Sequence, residues 1–182
     1  MLFTLCSPFS RYLHISTIAW VLLACTAIRA DLVDTFQIGE GSATAEIQFD
    51  FSNGNSYLYI LQWEGNLTGR DVFDAILQDQ PGYFDFTIQQ YDWGDFLTGI
   101  QIGDDTDSGD GSTPPYLNYW HYWTAETTNP WEMSMIGFSD RILLDGSRDA
   151  WVFGSDAMPA TIPAPAAGVV LCTLRSRRRR RN

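Results

Sequence analysis

Between Tyr119 and Trp123 the chain reads Tyr-Trp-His-Tyr-Trp, five consecutive rings of which one, His121, can also carry a proton or hold a metal. In an extended strand side chains alternate, so Tyr119, His121 and Trp123 share one face while Trp120 and Tyr122 share the other. Both faces cannot be deep core in so small a domain. One is expected to present its rings to a ligand, whether sugar, corrin or peptide, with further rings available from Tyr116, Trp63, Trp93, Trp131 and Trp151. His121 is expected to pack or hydrogen-bond as an ordinary strand residue.

The other chemistry-bearing groups are carboxylates. Asp104, Asp105, Asp107 and Asp110 fall within one Gly/Ser loop, and oxygen ligands two residues apart suit calcium. The EF-hand pattern is not met, because Gly109 stands where a third oxygen ligand is needed and no Glu follows at the closing position. A solvated acidic loop is expected, with no metal. Asp92 with Asp95, and Glu126 with Glu132, have the form of glycosidase pairs. With 22 acids in the sequence such pairs arise by chance, and no enzyme is expected. The cysteines are Cys6, Cys25 and Cys172, all near the ends, which excludes a thiolate zinc site or a cysteine nucleophile in the middle.

Charge separates the chain into segments. Of 182 residues, those between Asp31 and Thr161 contain three arginines and 22 acids, a formal charge of −19. Such a domain repels phosphate, so nucleic acid is excluded as a partner.

The elements that must position these residues follow from periodicity. Ala43 to Phe51 alternates apolar and polar, Ser52-Asn53-Gly54-Asn55 supplies a turn, and Tyr57 to Trp63 completes a hairpin. Thr68 and Asp71 have capping-box spacing ahead of a helix with Val72, Phe73, Ile76 and Leu77 on one side, and Pro81-Gly82 ends it. Strands are predicted at Phe84 to Tyr91, Phe96 to Ile102, Tyr119 to Ala125, Trp131 to Phe138, Arg141 to Leu144 and Ala150 to Phe153, with Gly103 to Pro115 as a loop. The fold class is therefore α+β, a mixed sheet with one packed helix.

Both ends read as addresses. Residues 1–30 hold Arg11, an apolar run from Ile15 to Ile28, and Ile28-Arg29-Ala30, the form of a secretory signal peptide cut by signal peptidase after Ala30. Leu22-Leu23-Ala24-Cys25 resembles a lipobox, a second route in which Cys25 carries lipid. At the other end Pro163-Ala164-Pro165 precedes the apolar stretch Ala166 to Leu174 and the block Arg177, Arg178, Arg179, Arg180, Arg181. This order resembles the PEP-CTERM sorting signal of Gram-negative bacteria, with Ala164 where that family usually has Glu. The resemblance implies an exosortase-type partner, transient membrane association through residues 162–182, and display on the cell envelope or outside it. The nine apolar residues span ~14 Å as helix, about half a bilayer.

Within the middle, residues 31–161, the stretch from roughly Ala43 to Gly154 carries a resemblance of its own. Thr68 to Leu77, then Phe96-Leu97-Thr98-Gly99-Ile100, then Tyr119 to Trp123, then Asp145-Gly146 before Trp151-Val152-Phe153, is similar in order to the β-grasp family related to the C-terminal domain of transcobalamin. Ser147 to Ala150 is expected to extend the last turn. The resemblance implies a β-grasp-like sheet and a cobalamin or other corrinoid ligand. Two functions are thus expected: an exported, surface-sorted, non-catalytic binding protein for a corrinoid or another small ligand, or a structural protein of the extracellular matrix without one.

Overall fold

The computed structural model describes residues 31–162. The predicted signal peptide and the sorting residues Pro163, Ala164, Pro165 and Arg177 to Arg181 lie outside the described residues.

Among the described residues nine strands and one helix follow one another as β1 (Asp31–Gly39), β2 (Ala43–Asp50), β3 (Asn55–Trp63), α1 (Gly69–Asp79), β4 (Phe84–Tyr91), β5 (Gly94–Ile102), β6 (Asp105–Ser108), β7 (Trp120–Glu126), β8 (Glu132–Met133) and β9 (Ser147–Phe153). They form a six-stranded mixed sheet in the order β1-β3-β2-β9-β7-β8 and a three-stranded antiparallel sheet β4-β5-β6. The fold is α+β with a mixed sheet and one helix, as the sequence predicts. In the larger sheet β9 returns parallel to β2 and lies between β2 and β7. Hairpin, helix and parallel return strand are the β-grasp-like order.

The hairpin forms where the alternation places it. Ala45, Ile47, Phe49 and Phe51 are all buried, and Gly54 takes the positive φ of 90° that closes the turn. Thr68 caps α1 as expected: its hydroxyl accepts the Asp71 N–H while the Asp71 carboxylate accepts the Thr68 N–H at 2.9 Å. Val72, Phe73 and Ile76 have no exposed surface. Phe73 sits among Phe49, Phe84, Phe86, Phe138 and Trp151, at 4.9–5.9 Å between ring centroids, and so joins the helix to both sheets. Burying these three side chains contributes roughly 5–9 kcal/mol as an upper bound.

Several expectations are corrected. Asp31–Gly39 forms a strand, parallel to β3, where none is predicted. The loop Gly103 to Pro115 contains β6, because Asp105–Ser108 pairs with Gly99–Ile102. Of the strand predicted from Trp131 to Phe138 only Glu132–Met133 pairs, and of Arg141 to Leu144 only Ile142 bridges, to Thr68. Ser147 to Ala150 belongs to β9 instead of extending the turn. Nor is the polar face of β2 solvated throughout. Gln48 and Asp50 are buried beneath the segment that follows β9, where Asp50 accepts the Ala160 N–H at 2.8 Å and the Gln48 amide donates to the Ala160 carbonyl at 2.9 Å.

Candidate functional site

The aromatic strand does not present one whole face to solvent. Trp120, His121 and Trp123 are all buried, so both faces of β7 are covered, against expectation. Trp120 packs edge-on between Phe51 and Phe153 and donates its indole N–H to the Asp107 carbonyl at 3.3 Å. Trp123 belongs to a smaller cluster on the other side with Ala150, Val152 and Trp131, the last capped by the Arg148 guanidinium at 4.4 Å. The covering on this side comes from elements that no periodicity connects to β7.

What β7 offers is one side of a cleft of about 520 Å³. Tyr119 to Tyr122 form one wall, Trp93 to Leu97 from the β4–β5 turn and β5 form the second, and Met133 to Phe138 with Asp140 form the third. The volume lies within the range typical of small-ligand sites. The second wall exists because β4 and β5 meet at a two-residue hairpin, Asp92-Trp93, with Gly94 at a φ of 132°. That turn holds Trp93 stacked on Tyr91, centroids 4.9 Å apart and planes within 8°, while Trp93 stays 65% exposed. Phe96 then leads inward to Tyr119 at 5.9 Å, and Tyr119 stacks on His121 at 3.9 Å. The third wall is anchored from below by Phe138, whose backbone lies so close to Gly69 that a Cβ there would collide with the Phe138 carbonyl. Above this anchor Met133, Met135 and Ile136 stand 45–94% exposed.

Tyr122 and Trp151 close the floor, stacked at 4.5 Å. The Tyr122 hydroxyl donates to Asp149, which has no exposed surface, and Asp149 faces Arg141 at 3.4 Å. Arg141 also pairs with Glu126 at 2.6 Å, and Ser147 donates to the same Glu126 carboxylate. Burial pushes the Asp149 carboxyl above its ordinary range, against the pull of Tyr122 and Arg141. Burial likewise raises the Tyr122 hydroxyl far out of the physiological range, with the Asp149 charge adding to it, so this tyrosine stays protonated.

His121 is also set by burial, which lowers its pKa and keeps the ring neutral. Its Nε2 lies 3.2 Å from the Leu117 carbonyl and its Nδ1 is buried without a partner. It therefore has no ring nitrogen at the surface to ligate a corrinoid cobalt. Several of the acidic residues weighed as metal or catalytic groups are engaged elsewhere. Asp105 accepts from Asn53, Asn55 and Tyr57, and Asp107 from Ser52, which ties the β5–β6 hairpin to the β2–β3 turn. Burial alone would raise Asp105, but these hydrogen bonds together hold it below its ordinary value. Among the described residues no three His, Cys, Asp or Glu side chains are grouped to hold a metal ion. Asp95 pairs with Arg70 and accepts from Ser139.

Of the five predicted ligand-binding residues, Tyr119, Trp120, His121 and Tyr122 line the cleft, with Trp120 and His121 themselves buried, while Trp123 lies in the cluster on the other side. Trp93 is one of the rings singled out in the sequence, yet nothing there places it opposite Tyr119. Phe96, Met133, Met135 and Ile136 fall in predicted strands but carry no sequence signal for a binding role. A scan against protein-family models finds no match, and a search of curated proteins finds none either.

Proposed function

We propose that this chain is an exported, surface-sorted, non-catalytic binding module whose ligand enters the cleft between β5, β7 and the Met133–Phe138 segment. The observation that carries the reading is the exposed apolar rim of that cleft. Trp93, Met133, Met135 and Ile136 are held open to solvent around a concave site, where a domain without a ligand would gain stability by covering them. Export and sorting rest on the leader in residues 1–30 and on the order Pro motif, apolar stretch and arginine block at the other end. A corrinoid is less well matched than a smaller ligand, since His121 offers no axial nitrogen.

Tryptophan fluorescence of the full chain, titrated with panels of neutral saccharides, corrinoids and peptides, tests binding, and Trp93→Ala identifies the cleft. A saturable response lost in the variant is expected. No response to any panel would overturn the binding reading and favour a matrix protein.

A further inference from the structure

The third wall of the cleft leaves β7 at an open sheet edge. In the β7–β9 ladder the Gly154 N–H donates to the Tyr119 carbonyl, which fixes the alternation: the backbone groups of residues 119, 121 and 123 face β9, and those of 120, 122 and 124 face away. On the outward side β8 pairs with Trp123 and Thr124, and the Ser134 N–H reaches the Tyr122 carbonyl at 2.9 Å. There the pairing stops. The chain turns aside at Ser134, whose hydroxyl donates to the Ile136 carbonyl at 2.9 Å, and opens the cleft. The N–H and C=O of Trp120 are left facing it with no protein partner among the described residues, although Trp120 as a whole is 3% exposed. An unpaired donor and acceptor on one edge residue are what an added strand engages.

Two further features define that strand. The rim contains Met133 and Met135, pliable side chains that suit varied peptide surfaces. Two carboxylates line the cleft: Asp95, which Arg70 pairs at 3.1 Å, and Asp140, which has no ion pair among the described residues, so the charge left to meet a ligand is that of Asp140. Trp93 and Tyr119 add ring faces on which a guanidinium or ammonium can rest.

We infer that the ligand of this cleft is an extended peptide with alternating apolar and basic residues, which adds to the β7 edge at Trp120 and sets a cationic side chain among Trp93, Tyr119 and Asp140. The inference rests on the proposed binding role and names the ligand class for the same site.

The test uses the full chain and three capped heptapeptides. One alternates Val and Arg, the second alternates Val and Glu, and the third is the Val/Arg peptide with its central amides N-methylated, which keeps the charge but removes the N–H donors that would reach the Trp120 carbonyl. The Val/Arg peptide is expected to quench Trp93 saturably. Glu for Arg and N-methylation should each weaken binding at least about tenfold, the first through charge and the second through backbone pairing. Trp93→Ala, read by calorimetric titration because the variant lacks the reporting ring, should weaken it comparably with only a small change in melting temperature. Equal binding of the N-methylated peptide would overturn edge addition and leave only attraction to an acidic surface. Absence of peptide binding beside a saccharide or corrinoid response would overturn the ligand class while sparing the binding role; silence from every panel would sink both.

Discussion

Replacing Arg141 with Met tests the network beneath the cleft floor. The side chain has two carboxylate partners, Glu126 at 2.6 Å and Asp149 at 3.4 Å. The Glu126 side chain is 38% exposed, so losing that contact costs no more than about 1 kcal/mol. Asp149 has no exposed surface and would keep only the Tyr122 hydroxyl and its backbone neighbours, and leaving a buried charge uncompensated costs roughly 3–5 kcal/mol. Against the ~5–15 kcal/mol of an ordinary domain, that is a loss of roughly a fifth or more. Adding Asp149→Asn removes the stranded charge and keeps an acceptor for Tyr122. The double variant should therefore recover about 1–3 kcal/mol of the loss, a coupling well above the error of a mutant cycle. The pH dependence has a definite sign. The Asp149 carboxyl is already raised above its ordinary value of 3.8, and loss of Arg141 raises it further. The folded state then binds the proton more readily than the unfolded chain, so stability of Arg141→Met should rise as pH falls from neutrality toward about 5. Urea denaturation followed by circular dichroism, with all four proteins at both pH values, measures this. Strictly additive costs, or a single variant whose stability does not respond to pH, would refute the view that Asp149 depends on Arg141.

Phe73→Ala removes the ring that joins helix to both sheets and should cost about 3–5 kcal/mol, read as a fall in both melting temperature and denaturant midpoint; a loss under about 1 kcal/mol would mean the two sheets are held together elsewhere. Thr68→Ala should cost about 1 kcal/mol and also reduce acid sensitivity. Hydrogen bonds from Thr68 hold the Asp71 carboxyl below its ordinary value, so their contribution is present near neutrality and lost as pH falls through that lowered value. The variant's denaturation curve should flatten in that acidic range.

The hairpin, helix and last strand were legible because each has a local signal: alternation in Ala43–Asp50, the Thr68/Asp71 box, and Asp145-Gly146 ahead of Trp151. β1 was not. Asp31–Gly39 has no clean alternation, its burial is partial at most positions, and its pairing with β3 is parallel, which no turn announces. Asp105–Ser108 looks like loop on composition because its carboxylates satisfy the neighbouring turn rather than solvent. Trp131 to Phe138 is apolar enough for a strand, yet Met133, Met135 and Ile136 form a cleft rim, Trp131 packs on the Trp123 cluster, and only Phe138 is fully buried. Of the candidate cleft, the ring-rich strand supplies one wall. Its partners lie at separations set by tertiary folding alone, and the shielding of Trp120 and Trp123 on opposite faces follows from that folding too.

The parallel placement of β9 beside β2 bears on how the domain answers tension. Five residue pairs, Glu46–Arg148 to Asp50–Val152, join these strands in the middle of the larger sheet, and the chain leaves β9 only to be gripped again by Gln48 and Asp50 at Ala160. A pull on the carboxyl end first meets that two-point grip. Once the grip yields, a pull directed along β9 loads the ladder in shear, and its hydrogen bonds share the force instead of breaking in sequence as at a peeled edge. Under such a load the segment around Ala160 would come free before the β2–β9 ladder is strained, so the aromatic cleft beside β7 would keep its shape through the first extension.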